Sequence, residues 1–187
     1  MMKRTFDMLF SLIAAIVLFI PALIIALLVR LTSEGPVLYW SERIGLHNQI
    51  FRMPKFRTMK IDTPAMATHL IQNPHAYITT IGRFLRKNSL DEIPQLYSII
   101  KGDMSFVGPR PALFNQHDLI KLRTEKGIHE VIPGLTGWAQ INGRDELPIP
   151  VKVEFDDYYR SHRNFLFDMQ ILFMTFYKIL KKEGVSH

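Results

Sequence analysis

The sequence has 187 residues, a formal net charge of +6, a pI of about 9.6 and no cysteine. That length supports one domain with a sizeable core, and the missing cysteine excludes disulfides, thiolate metal sites and a cysteine nucleophile. The basic balance points to an anionic partner: nucleic acid, anionic lipid or a phosphorylated substrate.

From Met8 to Val29 runs an uncharged stretch of about 22 residues, long enough for a membrane helix. It is too long for a cleaved signal, and no small-residue cleavage site precedes Arg30. Pro21 interrupts it, so one reading is a kinked spanning helix. The charges favour another. Lys3 and Arg4 precede the stretch; Arg30, Arg43, Arg52, Lys55, Arg57 and Lys60 follow it. Basic flanks prefer the cytoplasmic side. A re-entrant helix that bends at Ile20-Pro21 and leaves on the side it entered satisfies both. Met8 to Pro21 covers about 20 Å of helix, short of a bilayer core of about 30 Å. The carbonyl freed by Pro21 needs another partner in lipid, and Ser11 lies too far along the chain to supply it.

Gly35-Pro36 marks a turn. Val37 to Trp40 then reads as a short strand, Gly45 to Asn48 as a turn, and Ile50 to Met59 as a second strand interrupted at Pro54. Lys55 and Arg57 are spaced to share one face, either as a solvated basic face or as a phosphate-binding one. Ile61 to Tyr77 reads as a loop with one short helix. Its His69 and His75, with no carboxylate partner nearby, make a poor metal site.

Thr80 to Arg86 reads as a helix leading, through Arg83, Arg86 and Lys87, to Asn88-Ser89-Leu90-Asp91-Glu92-Ile93-Pro94-Gln95-Leu96. Ser89 and Glu92 have capping-box spacing, but that register places Pro94 where a backbone donor is required. With Asp91 as N-cap, Pro94 falls in the first turn, where none is needed. This second register is preferred. It sets the Asp91 carboxylate at the positive pole of a helix, favouring its ionised form and attracting phosphate. Taken alone, the stretch reads as a capped helix start. The helix continues over Gln95 to Ile100 and stops at Lys101-Gly102-Asp103.

Arg110, between Pro109 and Pro111, is limited to extended backbone. A rigid backbone holding one arginine suits bidentate phosphate recognition; a structural turn with an exposed arginine fits equally. Leu113 to Lys126 reads as an amphipathic helix. In Pro133 to Arg144, three glycines permit close backbone approach to a ligand, and Asn142-Gly143 signals a hairpin turn. Trp138 suits stacking on a base or a place at a membrane interface. The pattern is neither a P-loop nor a dinucleotide fingerprint. Val151 to Tyr159 reads as a helix with Glu154, Asp156 and Asp157. Phe165 to Leu180 reads as an interfacial amphipathic helix, with Lys178, Lys181 and Lys182 reaching anionic head groups.

Four stretches carry a family resemblance: KFRTM (Lys55 to Met59), SLDEIPQL (Ser89 to Leu96), KGDMSFVGPRP (Lys101 to Pro111) and PGLTGWAQINGR (Pro133 to Arg144). With the N-terminal membrane stretch and the ending Gly184-Val185-Ser186, the chain resembles the bacterial sugar transferases. More closely, it is similar to the small monotopic phosphoglycosyl transferases. It departs from them at Tyr77-Ile78-Thr79, where many members carry an arginine before the Ile/Val-Thr. It departs again at His162-Arg163-Asn164, in place of a more usual Asn-x-Ser.

The resemblance implies transfer of sugar-1-phosphate from a UDP-sugar to a polyprenol phosphate, giving polyprenol-diphosphate-sugar and UMP. It implies a Mg²⁺ cofactor and a monotopic place on the cytoplasmic face of a bacterial inner membrane. Asp91 would attack the sugar-bearing phosphate and form an acyl phosphate, and Glu92 would hold Mg²⁺. Lys55, Arg57, Arg86, Arg110 and Arg144 would bind the substrate phosphates. The expected architecture is α+β and mostly helical, with a re-entrant membrane helix over residues 1–34 and one integrated catalytic domain over 35–187. Two rivals stand beside it. One is a membrane-attached hydrolase of nucleotide sugars, with water as acceptor. The other is a non-enzymatic basic adaptor, for which no RNA- or DNA-binding motif is present.

Overall fold

The computed structural model describes residues 2–63, 76–143 and 147–181. It is mostly helical, with two small sheets. Helix α1 (Met2–Val17) and helix α2 (Phe19–Thr32) meet at Leu18 with a bend of 61°. No single helix among the described residues is long and apolar enough to cross a membrane; only the bent pair taken together has the length and composition of a span. The break lies three residues before Pro21, not at Ile20-Pro21 as the sequence suggests. Proline lacks the N–H that would reach the carbonyl four residues back, and its ring collides with that carbonyl. The helix therefore gives way at the preceding turn, which leaves Pro21 in the first turn of α2, where no donor is required.

Strands β1 (Leu38–Ile44) and β2 (Ile50–Phe56) form an antiparallel hairpin with Trp40 opposite Pro54. Pro54 does not interrupt β2. The Arg57 amide donates to Val37 O at 2.9 Å, so by alternation Pro54 stands in a non-hydrogen-bonded pair and its missing donor costs no ladder bond. Helix α3 (Thr80–Lys87) is capped by Thr79, whose hydroxyl accepts from Gly82 N. A 3₁₀ turn over Leu90–Gln95 follows, then α4 (Leu96–Lys101), which ends at Gly102 in the left-handed region (φ 103).

Strand β3 (Ser105–Val107) pairs in parallel with β4 (Gly134–Thr136). Between them lies α5 (His117–Glu125), shorter at its start than the sequence suggests. Asn142-Gly143 makes no hairpin: it closes α6 (Trp138–Ile141), with the Asn142 side-chain amide donating to Trp138 O at 2.8 Å. Helices α7 (Ile149–His162) and α8 (Phe165–Lys181) complete the described chain. The expected loop over Ile61 to Tyr77, with His69 and His75, falls mainly outside the described residues.

The main core gathers Phe51, Met53, Ile99, Met104, Phe106, Tyr159 and Ile171, with Phe6, Ala14 and Leu18 of the first helix pair against it. A second cluster joins Ile25 and Val29 of α2 to Phe56 and Leu85. The first helix pair is thus tied to the body at both ends. At the start of α1, Lys3 Nζ donates to Asp168 Oδ2 (2.6 Å) and Val107 O (2.9 Å). Tyr159 Oη donates to the other Asp168 oxygen at 2.7 Å. The Arg4 guanidinium donates to Ile99 O and Ile100 O at 2.6 and 2.7 Å, satisfying carbonyls at the end of α4. Asp7 accepts from Phe106 N at 3.2 Å. At the end of α2, Arg57 donates to Ser33 O, Ser33 Oγ and Glu34 O.

Candidate active site

Four segments converge. Strand β2 brings Lys55, the end of α3 brings Arg86, the 3₁₀ turn brings Asp91 and Glu92, and the loop after β3 brings Arg110. Lys55 Nζ lies 2.9 Å and Arg110 Nη2 3.1 Å from the same oxygen of Glu92, Oε1. Arg86 Nε donates to Thr58 Oγ1 at 2.9 Å, which holds its guanidinium near Asp91. Beneath the site, Leu90 and Ile93 pack on the cluster of Ile25, Val29, Phe56 and Leu85, so α2 forms part of its floor.

Asp91 is not an N-cap. The N-cap position belongs to Ser89, in left-handed backbone (φ 54) and making no side-chain cap bond. Such a φ is uncommon outside glycine. It turns the chain between α3 and the next segment so that both carboxylates enter together. A 3₁₀ turn then accommodates Pro94 without either of the helix registers read from the sequence.

The two carboxylates differ in kind. Asp91 is 8% exposed. Burial pushes its carboxyl above the usual range, the charge of Glu92 adds to this, and Lys55, Arg86 and Arg110 oppose it. The positive helix pole expected to favour ionisation is not what governs it. Burial acts on Glu92 in the same direction, but the charges and hydrogen bonds of Lys55 and Arg110 prevail and hold it well below the usual carboxylate range. Lys55 is itself lowered, by burial first, against the attraction of Glu92. Three cations thus face two carboxylates, leaving a net positive well suited to phosphate.

Arg57 is not brought to this cluster; its guanidinium is committed to the end of α2. Arg144 lies outside the described residues. Lys178, expected at lipid head groups, instead donates to Ile141 O. Lys181 lies over the Tyr177 ring at 4.6 Å, and Lys182 lies outside the described residues. Trp138 stacks on Tyr158 and packs on Phe167. Sequence reasoning missed Thr58, although it sits inside the KFRTM stretch. It also missed Arg43, whose Nη1 donates to Pro111 O at 3.1 Å. Arg123 was missed too, and its signal was available: it follows Leu119 by four residues and so shares the inward face of α5.

Comparison with known proteins gives concordant results. The family model described as bacterial sugar transferase matches residues 1–182. An uncharacterized sugar transferase of Bacillus subtilis, EpsL, is 42% identical over 191 residues, covering 99% of this chain and 90% of that protein. The undecaprenyl-phosphate galactose phosphotransferase of Salmonella typhimurium is 34% identical over 200 residues, 98% of this chain and 41% of that protein. The UDP-glucose:undecaprenyl-phosphate glucose-1-phosphate transferase of Escherichia coli is 36% identical over 186 residues, 95% and 40% respectively. The chain therefore spans about two-fifths of these last two relatives.

Proposed function

Starting from a chain that belongs to the bacterial sugar transferase family, we propose that it transfers sugar-1-phosphate from a UDP-sugar to a polyprenol phosphate such as undecaprenyl phosphate, releasing UMP. The observation that carries this reading is the pairing of a buried carboxylate, Asp91, with a neighbour, Glu92, already neutralised by Lys55 and Arg110. The names of the Salmonella and Escherichia relatives supply the donor and acceptor classes.

The donor diphosphate enters a well where Lys55, Arg86 and Arg110 offset its charge. An Asp91 oxygen bonds the sugar-bearing phosphorus while the bond from that phosphorus to the bridging oxygen breaks, and UMP leaves with the electron pair. The aspartyl phosphosugar persists until an oxygen of the lipid phosphate attacks the same phosphorus and releases the carboxylate. The raised proton affinity of Asp91 makes its ionised form the better nucleophile. Glu92 stays ionised beside it and does other work. Among the described residues no group of three or more His, Asp or Glu side chains is placed to hold a metal. Mg²⁺ is commonly held by one or two carboxylates together with substrate phosphates, and the donor set fits that mode: Glu92 would hold it through its second oxygen. Bound there, it would neutralise charge on the diphosphate and the departing UMP.

The same reading places the α1–α2 pair in the membrane as a re-entrant hairpin, with the body on the cytoplasmic face of the inner membrane. What supports it is that Lys3, Arg4 and Asp7 at one end, and Ser33 and Glu34 at the other, bind the same body. The exposed side chains between them include Leu9, Ile13, Ile16, Phe19, Ile24 and Leu27. Leu166, Phe173 and Phe176 give α8 a second exposed apolar face, suited to lying at the interface.

The decisive assay is UMP release from UDP-glucose and UDP-galactose with undecaprenyl phosphate. Donor alone should add one sugar phosphate to the peptide containing Asp91, and Asp91→Asn should abolish both adduct and UMP. Glu92→Gln should be severely impaired, with weakened Mg²⁺ dependence. Normal turnover by Asp91→Asn, or an adduct on Glu92, would overturn the assignment. Steady release of sugar phosphate without lipid would indicate a hydrolase instead.

A further inference from the structure

Between Pro109 and Pro111 the chain has a single amide hydrogen, that of Arg110, because proline has none. The three carbonyls of this segment are each held by a different element. Pro109 O accepts from Gly134 N at 3.0 Å. Arg110 O accepts from Arg123 Nη1 at 2.8 Å, and Pro111 O from Arg43 Nη1 at 3.1 Å. Arg123 is 8% exposed on α5. Its Nε and Nη2 both donate to Asp156 Oδ2, at 3.0 and 2.6 Å, and Asp156 on α7 is 1% exposed.

A buried ion pair is weak evidence for stability, since apolar residues of similar volume often fill the same space at no loss. What apolar residues cannot supply is the third arm of the guanidinium fork. That arm ends on the carbonyl of Arg110, whose own guanidinium meets Glu92.

We infer that Arg123 and Asp156 are positioning residues for Arg110: the pair fixes the backbone from which Arg110 reaches Glu92 and the substrate phosphate. The inference rests on the transferase reading above and deepens it. Arg110, flanked by prolines, has little backbone freedom of its own, so the anchoring of these carbonyls sets where its side chain begins. A misplacement of about 1 Å at such a group costs on the order of 10²-fold in rate.

The test compares wild type, Arg123→Lys, the double variant Arg123→Met/Asp156→Leu, Arg110→Ala, and Arg110→Ala combined with each change at 123 and 156. Each is assayed for UMP release from UDP-glucose and UDP-galactose with undecaprenyl phosphate, and for thermal unfolding. The double variant removes both charges together, so it should melt near wild type while losing about 10²-fold in kcat/KM. In the Arg110→Ala background the same change should cost less than about threefold more, because the two act through one group. If the double variant fails to fold, Arg123→Lys carries the same comparison: lysine keeps the charge but lacks the fork.

Equal losses in both backgrounds would make the pair mere packing and overturn the inference. So would wild-type turnover in a double variant that melts like wild type. No UMP release from wild type with any donor would remove the transferase reading instead. The backbone hold is then read by hydrogen exchange at the Arg110 amide, which should quicken in the double variant; unchanged exchange overturns the inference.

Discussion

Asp91 and Glu92 are neighbours in sequence whose environments drive their proton affinities apart, and this sets the expected pH dependence. With Asp91 as the proposed nucleophile, turnover requires its ionised form. Its carboxyl is raised, chiefly by burial, so the acid limb of the rate profile should lie above the usual aspartate range, with activity lost as pH falls through it. Glu92, held low by Lys55 and Arg110, keeps its charge across that limb. Lys55→Ala removes an attraction that opposes the rise at Asp91, so the limb should move to higher pH; a limb that stays put would show that Lys55 does not act on Asp91. Arg110→Ala should lower kcat by about 10²–10³-fold, against little change for the exposed Lys121→Ala. That cations would stand near Asp91 and Glu92 was readable, because Lys55 and Arg110 fall within the family stretches and Arg86 lies just before the carboxylates. Which cations reach the dyad was not. Pairing runs on past Phe56 to Arg57 and Val37, so what separates Arg57 from Lys55 is the end of α2 lying beside it, where Arg57 turns to Ser33 and Glu34.

At the scale of the element, Gly82 shows how closely α3 sits on the chain after β2. A Cβ at Gly82 would lie 2.2 Å from Thr58 O. Alanine in a helix interior ordinarily gains about 0.5–1 kcal/mol over glycine, but overpacking of this kind costs about 1–3 kcal/mol. The clash should win. Gly82→Ala is expected to lower the melting temperature by about 2–4 °C for each kcal/mol lost. It should also lower turnover, because Thr58 is the residue that holds Arg86; an unchanged melt with full activity would refute the close contact. Helices α3, α7 and α8 lie within a few residues of their expected spans, and α4 ends at the stop signal of Lys101-Gly102-Asp103. The 3₁₀ turn at Leu90–Gln95 was not legible. Two capping rules competed for it, and the outcome was set by a left-handed Ser89 and by packing on Phe56 and Leu85, which lie far away in sequence or outside any cap. The helix break falls at Leu18 for a similar reason: proline acts on the carbonyl four residues back, not on its own position.

For the whole molecule, the mostly helical α+β class and the small hairpin were readable. The parallel pairing of β3 with β4 was not, since three-residue strands carry no periodic signal. The bent helix pair makes a topological prediction. The chain has no cysteine, so single cysteines at Met2 and Glu34 can be labelled cleanly. Both should react from the cytoplasmic side, whereas Phe19→Cys beside the bend should resist aqueous reagent; labelling of Met2 and Glu34 from opposite sides would restore a spanning helix. The ties at the start of α1 carry a further consequence, for modularity. A membrane anchor joined by a linker can be exchanged for another, or cut away to leave a soluble enzyme. Here such surgery would strip Lys3 from Asp168, Arg4 from the carbonyls ending α4, and Asp7 from the Phe106 amide, leaving buried Asp168 without its cation and backbone groups without their partners. Removing α1 should therefore yield insoluble or unfolded protein even in detergent, and a foreign anchor should not rescue it. The apolar helix pair and the body that carries Asp91 and Glu92 are thus one folding unit.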